Sequence, residues 1–237
     1  MSFIDELKAV SHVIIETIKN YIIKREYTDR YGRIIVVTLA IMCISFASFL
    51  AYRYYISNRE QKTYALFAEY MDDFNRASQA GSVDMLQSIE NSVSLAYAQH
   101  KGSYIAPLFL IIKADAQLQQ KKMAQAIDTL YQAINELPQS SPIQPLIKFK
   151  QALLLLDSAD EEIQKNGVEI MVRLARDKMN QFSDFALFYL GRYYWAQNNI
   201  QEAKNSWQEL VDAHSTEQAY PSIWAEEARL ALSQLVG

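Results

Sequence analysis

The sequence predicts an all-α fold in three parts: an N-terminal amphipathic helix, one transmembrane helix, and an α-solenoid of stacked helix pairs. Three observations carry this. Apolar residues recur at three-to-four spacing along most of the 237 residues, and no convincing alternating strand appears. The six glycines and five prolines are sparse and mostly mark breaks between periodic segments. One stretch, 34–51, carries no charge at all.

The N-terminal segment, 1–33, places Ile4, Leu7, Val10, Ile14, Ile18 and Ile22 on one helical face, with lysines on the polar side. Such a helix lies along a membrane surface or packs on a partner. His12 stands alone on it and is expected in solvent. The transmembrane helix follows at 34–52. Its core, IIVVTLAIMCISFASFLA, has only Thr38, Ser45 and Ser48 as polar residues. A helix of that length rises about 27 Å, close to the ~30 Å hydrocarbon layer. Tyr31 precedes the stretch and Tyr52, Tyr54 and Tyr55 follow it, which suits rings at headgroup depth. A cleaved signal is disfavoured, although Ser45-Phe46-Ala47 satisfies a small-x-small rule, because segment 1–33 ahead of the stretch is far longer than a typical n-region. Met42 ahead of Cys43 is too bulky for a lipoprotein signal.

Orientation follows from Lys and Arg near the two ends. Residues 14–33 hold five and residues 52–71 hold three, which puts the N-terminus in the cytoplasm and residues 53–237 outside it. The net charge of −4, from 23 basic and 27 acidic residues, divides accordingly. Residues 1–33 carry six basic and five acidic groups, and residues 52–237 carry 17 and 22. An acidic chain of this kind does not read as a nucleic-acid binder.

Beyond residue 53, helices of roughly four to five turns alternate with short breaks. Tyr64–Ala80 stops at Gly81, and Val83–Gln99 is closed by Lys101-Gly102. Further breaks fall near Gln120-Lys121, Pro138–Pro142, Asp157–Asp160, Asn180, Asn198-Asn199 and Ser215–Pro221, and the last helix is expected from Pro221 to Leu235. The clearest unit is LFYLGRYYWAQNNIQEAKNSWQEL. Leu187, Leu190, Gly191 and Tyr194 lie on its first helix, and Ala203, Trp207 and Leu210 on its second. Small residues at Gly191 and Ala203 allow close approach, while the large ones wedge into the seam. This is the tetratricopeptide pattern. An earlier copy places Leu110, Ala114, Ala126, Leu130 and Ala133 equivalently, and a degenerate unit between them carries Gly167, Met171 and Leu174.

Catalytic chemistry is not expected. The glycines lie more than 19 positions apart, which excludes GxGxxG, the P-loop and the GxSxG elbow. The single cysteine, Cys43, excludes an internal disulfide and multi-cysteine metal sites. His100 and His214 sit at helix ends, placed to meet free carbonyls, without a second ligand at metal spacing. Adjacent carboxylates such as Asp72-Asp73, Glu161-Glu162 and Glu226-Glu227 diverge by about 100° on a helix and read as solvated faces. The chain is read as a non-enzyme without cofactor or metal.

Recognition remains. In such solenoids the first helix of each pair lines a groove. That face is expected to carry Leu108, Ile111, Asp115 and Leu118, then Phe185, Phe188, Arg192 and Trp195. Aromatic residues and arginine dominate interface hot spots, and Arg192 is the most telling of the eight.

The AYRYY run after the apolar stretch, the Gly102–Tyr104 helix start and the GRYYWAQNNIQEAKNSW unit resemble the bacterial ancillary SecYEG translocon subunit family (YfgM-like), over residues 34–212. The resemblance implies a single-pass inner-membrane protein whose periplasmic repeat domain meets Sec translocon components, periplasmic folding factors or exported clients. Its partners would then be proteins and the membrane lipid bilayer. The longer N-terminal helix and the acidic loop at Asp157–Glu162 depart from that family's pattern. A structural scaffold subunit of another envelope complex, for secretion, division or outer-membrane assembly, is the alternative.

Overall fold

The structure, a computed structural model, describes residues 12, 13, 16, 30–177, 180–215 and 222–235. Nine helices occur among the described residues: α1 (Arg30–Ala80), α2 (Val83–Gln99), α3 (Ala106–Gln119), α4 (Met123–Glu136), α5 (Gln144–Leu156), α6 (Glu161–Arg176), α7 (Ser183–Ala196), α8 (Ile200–Ala213) and α9 (Ile223–Leu235). The amphipathic pattern from Ile4 to Ile22 lies outside them, except that His12, Val13 and Glu16 are helical and exposed. Pro221, the expected start of the last helix, also lies outside. The chain divides into two compact units, Met1–Arg59 and Glu60–Gly237. The second of these holds the helix pairs.

In the first unit, Val37, Leu39, Ile41, Met42, Ile44, Phe46 and Phe49 are each more than half exposed, on all sides of α1. This is the one helix among the described residues long and apolar enough to cross a membrane, and its apolar window is 0 % buried. A helix apolar all round belongs in a large core or in a bilayer, and no core of described residues takes it up. α1 continues without a break to Ala80, 51 residues in all. Residues 53–63, RYYISNREQKT, contain neither glycine nor proline, so nothing in the sequence ends the helix after the apolar stretch.

In the second unit each apolar cluster joins one helix pair to the first helix of the next. Ala77 of α1 packs with Leu86, Ile89, Val93 and Ala96 of α2 and with Phe109, Ile112 and Ala116 of α3. Ala114, Ala126, Leu130 and Leu137 of the second pair close on Ile147 of α5. Phe149, Ala152, Met171 and Leu174 of the third close on Ala186 and Leu190 of α7. Leu187, Phe188, Ala203, Trp207 and Leu210 of the fourth close on Ala225 and Ala228 of α9. Stability in such an array is a sum of neighbouring contacts. α9 stands where the first helix of a fifth pair would.

Three pairs share one turn. Gly81, Lys121 and Asn198 have φ of 62°, 60° and 57°. At each, two N–H groups return to the helix just ended: Gly81 to Ser78 O and Ser82 to Ala77 O, Lys121 to Leu118 O and Lys122 to Gln117 O, Asn198 to Trp195 O and Asn199 to Tyr194 O. This is the Schellman arrangement, which satisfies carbonyls left over at a helix end. Asn tolerates the left-handed conformation; lysine adopts it at a cost of about 1–2 kcal/mol, against about 0.5–1 kcal/mol for the extra entropy glycine loses. Lys121→Gly is thus expected to raise unfolding free energy by up to about 1 kcal/mol. Equilibrium denaturation measures this, and a destabilised variant would contradict the turn assignment.

Aligned on these turns, Phe74, Ala114 and Gly191 are equivalent, as are Leu86, Ala126 and Ala203. Residues 60–99 thus form the first pair, a copy of the repeat that sequence pattern did not expose, because bulky side chains occupy both of its small positions. Where the small residues are kept, contact is close: a Cβ on Gly191 would lie 2.3 Å from Trp207 Nε1, and one on Gly167 3.0 Å from Leu155 Cβ. N-caps open the second helices at Ser82, Asp160 and Asn199, whose side chains accept from Met85 N, from Glu162 N and Ile163 N, and from Glu202 N respectively.

Candidate partner-binding face

The first helices α3, α5 and α7 lie side by side. Lys150 of α5 pairs with Asp115 of α3. Between α5 and α7 a shallow depression of about 240 Å³ is lined by Leu153, Leu156, Asp157, Tyr189, Arg192 and Tyr193. These contacts join the helices that the repeat pattern assigns to a groove.

On α3, Leu108, Ile111, Asp115 and Leu118 are all partly exposed. Ile111 and Leu118 also rest on the second pair's core. Asp115 carries no free charge, being held by Lys150. On α7 the four expected residues divide. Phe185 and Phe188 are met by Trp224 of α9, with ring centroids 4.3 Å and 5.2 Å away. Phe188 is only 9 % exposed and belongs to the fourth pair's core. Trp195 is 48 % exposed and stands edge-on to Trp207 at 6.1 Å. Arg192 is exposed, its guanidinium 5.6 Å from the Tyr189 ring centre, and it makes no ion pair among the described residues. The structure thus brings Asp115 together with α5 and Arg192 together with α5. Phe185 and Phe188 it turns toward the capping helix.

Pattern reading missed Leu146, Lys150, Leu153, Leu156, Asp157, Tyr189 and Tyr193. Most lie on or just after α5, the first helix of the degenerate unit, whose pattern rests on Gly167, Met171 and Leu174 of the partner helix. The usable signal was the spacing Leu146, Lys150, Leu153, Asp157, which places all four on one helical face.

Charge is unequally shared between α3, α5 and α7 and the second helices around them. α3, α5 and α7 carry Lys113, Lys148, Lys150 and Arg192 against Asp115 and Asp184, a net +2. The second helices run the other way. α2, α4 and α8 each carry a net −2, from Asp84 and Glu90, from Asp128 and Glu136, and from Glu202, Glu209 and Asp212 against Lys204; α6 is neutral. Asp184 is already engaged, accepting from Ser222 Oγ at 2.6 Å and lying 2.9 Å from His214 Nε2. Near the depression, burial and the Glu161 charge raise the pKa of Tyr193, whose hydroxyl donates to Gln164 Oε1 at 3.1 Å. Burial, Glu202 and Tyr193 raise Tyr194. Both phenols stay neutral donors across the physiological range.

The two helix-end histidines meet side chains where carbonyls were expected. His100 Nδ1 lies 3.0 Å from Thr63 Oγ1, and His214 Nε2 faces Asp184. In an antiparallel pair the end of the second helix lies beside the start of the first, so a side chain there competes with the helix's own carbonyls. Among the described residues no group of three or more His, Cys, Asp or Glu is placed to hold a metal ion.

No curated protein and no solved structure matches the chain. Residues 25–231 match the family model of a tetratricopeptide repeat-like domain, a range that holds the four helix pairs and most of α9. Repeating pairs, shared turns and this match give one conclusion: the chain belongs to the tetratricopeptide repeat-like family.

Proposed function

We propose that this is a single-pass membrane protein whose repeat domain docks protein partners along α3, α5 and α7. The observation that carries the reading is the line of half-exposed apolar side chains on those three helices, with Arg192 among them. Arginine beside aromatic rings in a depression is the composition of an interface hot spot. The apolar, uncovered stretch of α1 supports a membrane span. The excess of Lys and Arg before it favours a cytoplasmic N-terminus and a periplasmic repeat domain at the inner membrane. Within that reading, the domain serves the Sec export machinery or the periplasmic folding factors beside it. Tethering near a channel raises effective concentration, so modest affinity per site suffices.

Photo-crosslinking in intact cells from positions 153 and 192 tests this. The expected products contain translocon components, folding factors or exported polypeptides. One stoichiometric partner from another envelope complex would support a scaffold and displace the export reading. A reporter fused after Gly237 should be active outside the cytoplasm; activity confined to the cytoplasm would reverse the orientation.

A further inference from the structure

The positive balance of α3, α5 and α7 bears on what the face accepts. Resting on the docking reading above, we propose that the α5–α7 depression takes an extended polypeptide segment bearing an acidic side chain between aliphatic ones, its carboxylate held by Arg192. Three observations lead there. α3, α5 and α7 together are net positive within an acidic domain, so this part of the face favours acidic partners more than the acidic helices around it do. The two acids on these helices are occupied, Asp115 by Lys150 and Asp184 by Ser222 and His214, which leaves Asp157 and Glu161 as the acids near the depression. Arg192 rests on the Tyr189 ring, which holds the guanidinium in place and leaves its N–H groups for a carboxylate.

The apolar part of the site fits the same ligand. Leu153 and Leu156 supply the aliphatic part of its lining, and Tyr189 and Tyr193 the aromatic part. Asp157 stands on the rim and works against an acidic ligand, which supplies an internal control. Removing its charge strengthens binding if Arg192 is the anchor, and weakens binding if the site prefers a basic segment. Recognition here is of an internal side chain and needs no free C-terminus.

The experiment uses the full chain in nanodiscs and three fluorescent peptides, acetylated and amidated, of the form Gly-Ser-Val-X-Leu-Ser-Gly, with X as Glu, Gln or Lys. Fluorescence anisotropy at low salt is expected to give about three- to tenfold tighter binding for Glu than for Gln, with Lys weakest. The Glu advantage should shrink with added salt. Arg192→Gln should erase it while leaving the Gln peptide within about twofold, and Asp157→Asn should raise affinity for the Glu peptide. Equal binding of the Glu and Gln peptides, or preference for Lys, would overturn the inference while leaving the docking reading intact. Failure of all three peptides to bind would overturn both.

Discussion

Replacing Trp207 with alanine is expected to lower the unfolding free energy of the repeat domain by about 3–5 kcal/mol. The indole is 1 % exposed and is one of the largest fully buried side chains. Its Nε1–H donates to Phe188 O at 3.1 Å, across the seam between α8 and α7. Its ring covers Gly191, where a Cβ would force the indole to shift. Truncation removes a large apolar contact and leaves the Phe188 carbonyl without that bond. Since domains are stable by only about 5–15 kcal/mol, the fourth pair should open locally first, taking α9 with it. Hydrogen exchange should therefore accelerate in α7–α9 and stay near wild type in α2–α4. Uniform acceleration, or a loss under about 1 kcal/mol by denaturation, would refute the neighbour-by-neighbour account.

Gly191→Ala tests the same seam from the other side. Overpacking costs about 1–3 kcal/mol, partly offset by the better helix propensity of alanine, about 1 kcal/mol. In the Trp207→Ala background the added methyl fills vacated space, so the two changes should be strongly non-additive.

The second large effect is expected at Glu90. This carboxylate, 9 % exposed, lies among α2, α3 and α4. It accepts from Gln117 Nε2 at 2.9 Å, Gln120 Nε2 at 3.2 Å and Lys122 Nζ at 3.0 Å. Gln117 in turn accepts from Thr129 Oγ1 at 2.9 Å, and Lys122 also reaches Gln87 Oε1 at 2.6 Å. Burial by itself raises the Glu90 pKa, but the bonds from Gln117, Lys122 and Gln120, with the Lys122 charge, outweigh it and hold it below the ordinary value. All three partners are donors, so an amide at position 90 turns an N–H group on one of them. Glu90→Gln should therefore cost about 1.5–3 kcal/mol near neutral pH.

The direction of the shift also sets the pH dependence. With a lowered folded pKa, the unfolded chain binds the proton more readily. The stabilisation is complete above the unfolded carboxylate value and is lost as pH falls through the folded one. Stability of the native chain should drop below about pH 4.5, and the glutamine variant should show a shallower drop there. Parallel acid limbs for the two proteins would remove Glu90 from the account.

Helical content, breaks and pair order were legible because they follow from spacing along one helix. The breaks expected near Gln120-Lys121, Pro138–Pro142, Asp157–Asp160, Asn180 and Asn198-Asn199 all fall between helices. The seam of Gly191, Ala203 and Trp207 was legible too, since a small residue opposite a large one is a pattern in one dimension. The first pair was not, because Phe74 and Leu86 fill the positions where alanine or glycine marks the others. Of the candidate face, Arg192 could be named from spacing, whereas its neighbours on α5 could not.

Local order alone therefore settles the helices, the apolar stretch of α1 and the repeat in the later pairs, since each depends on residues a few positions apart. Packing settles which faces remain open. Phe185 and Arg192 share the same helical spacing, yet Trp224, two helices further along the chain, covers the first and leaves the second exposed. Asp115 and Arg192 are both charged groups on a first helix, yet Lys150 neutralises only the former. A 3.6-residue period places a side chain on a face but cannot say which neighbour arrives there, because that depends on how successive helices rotate and cross.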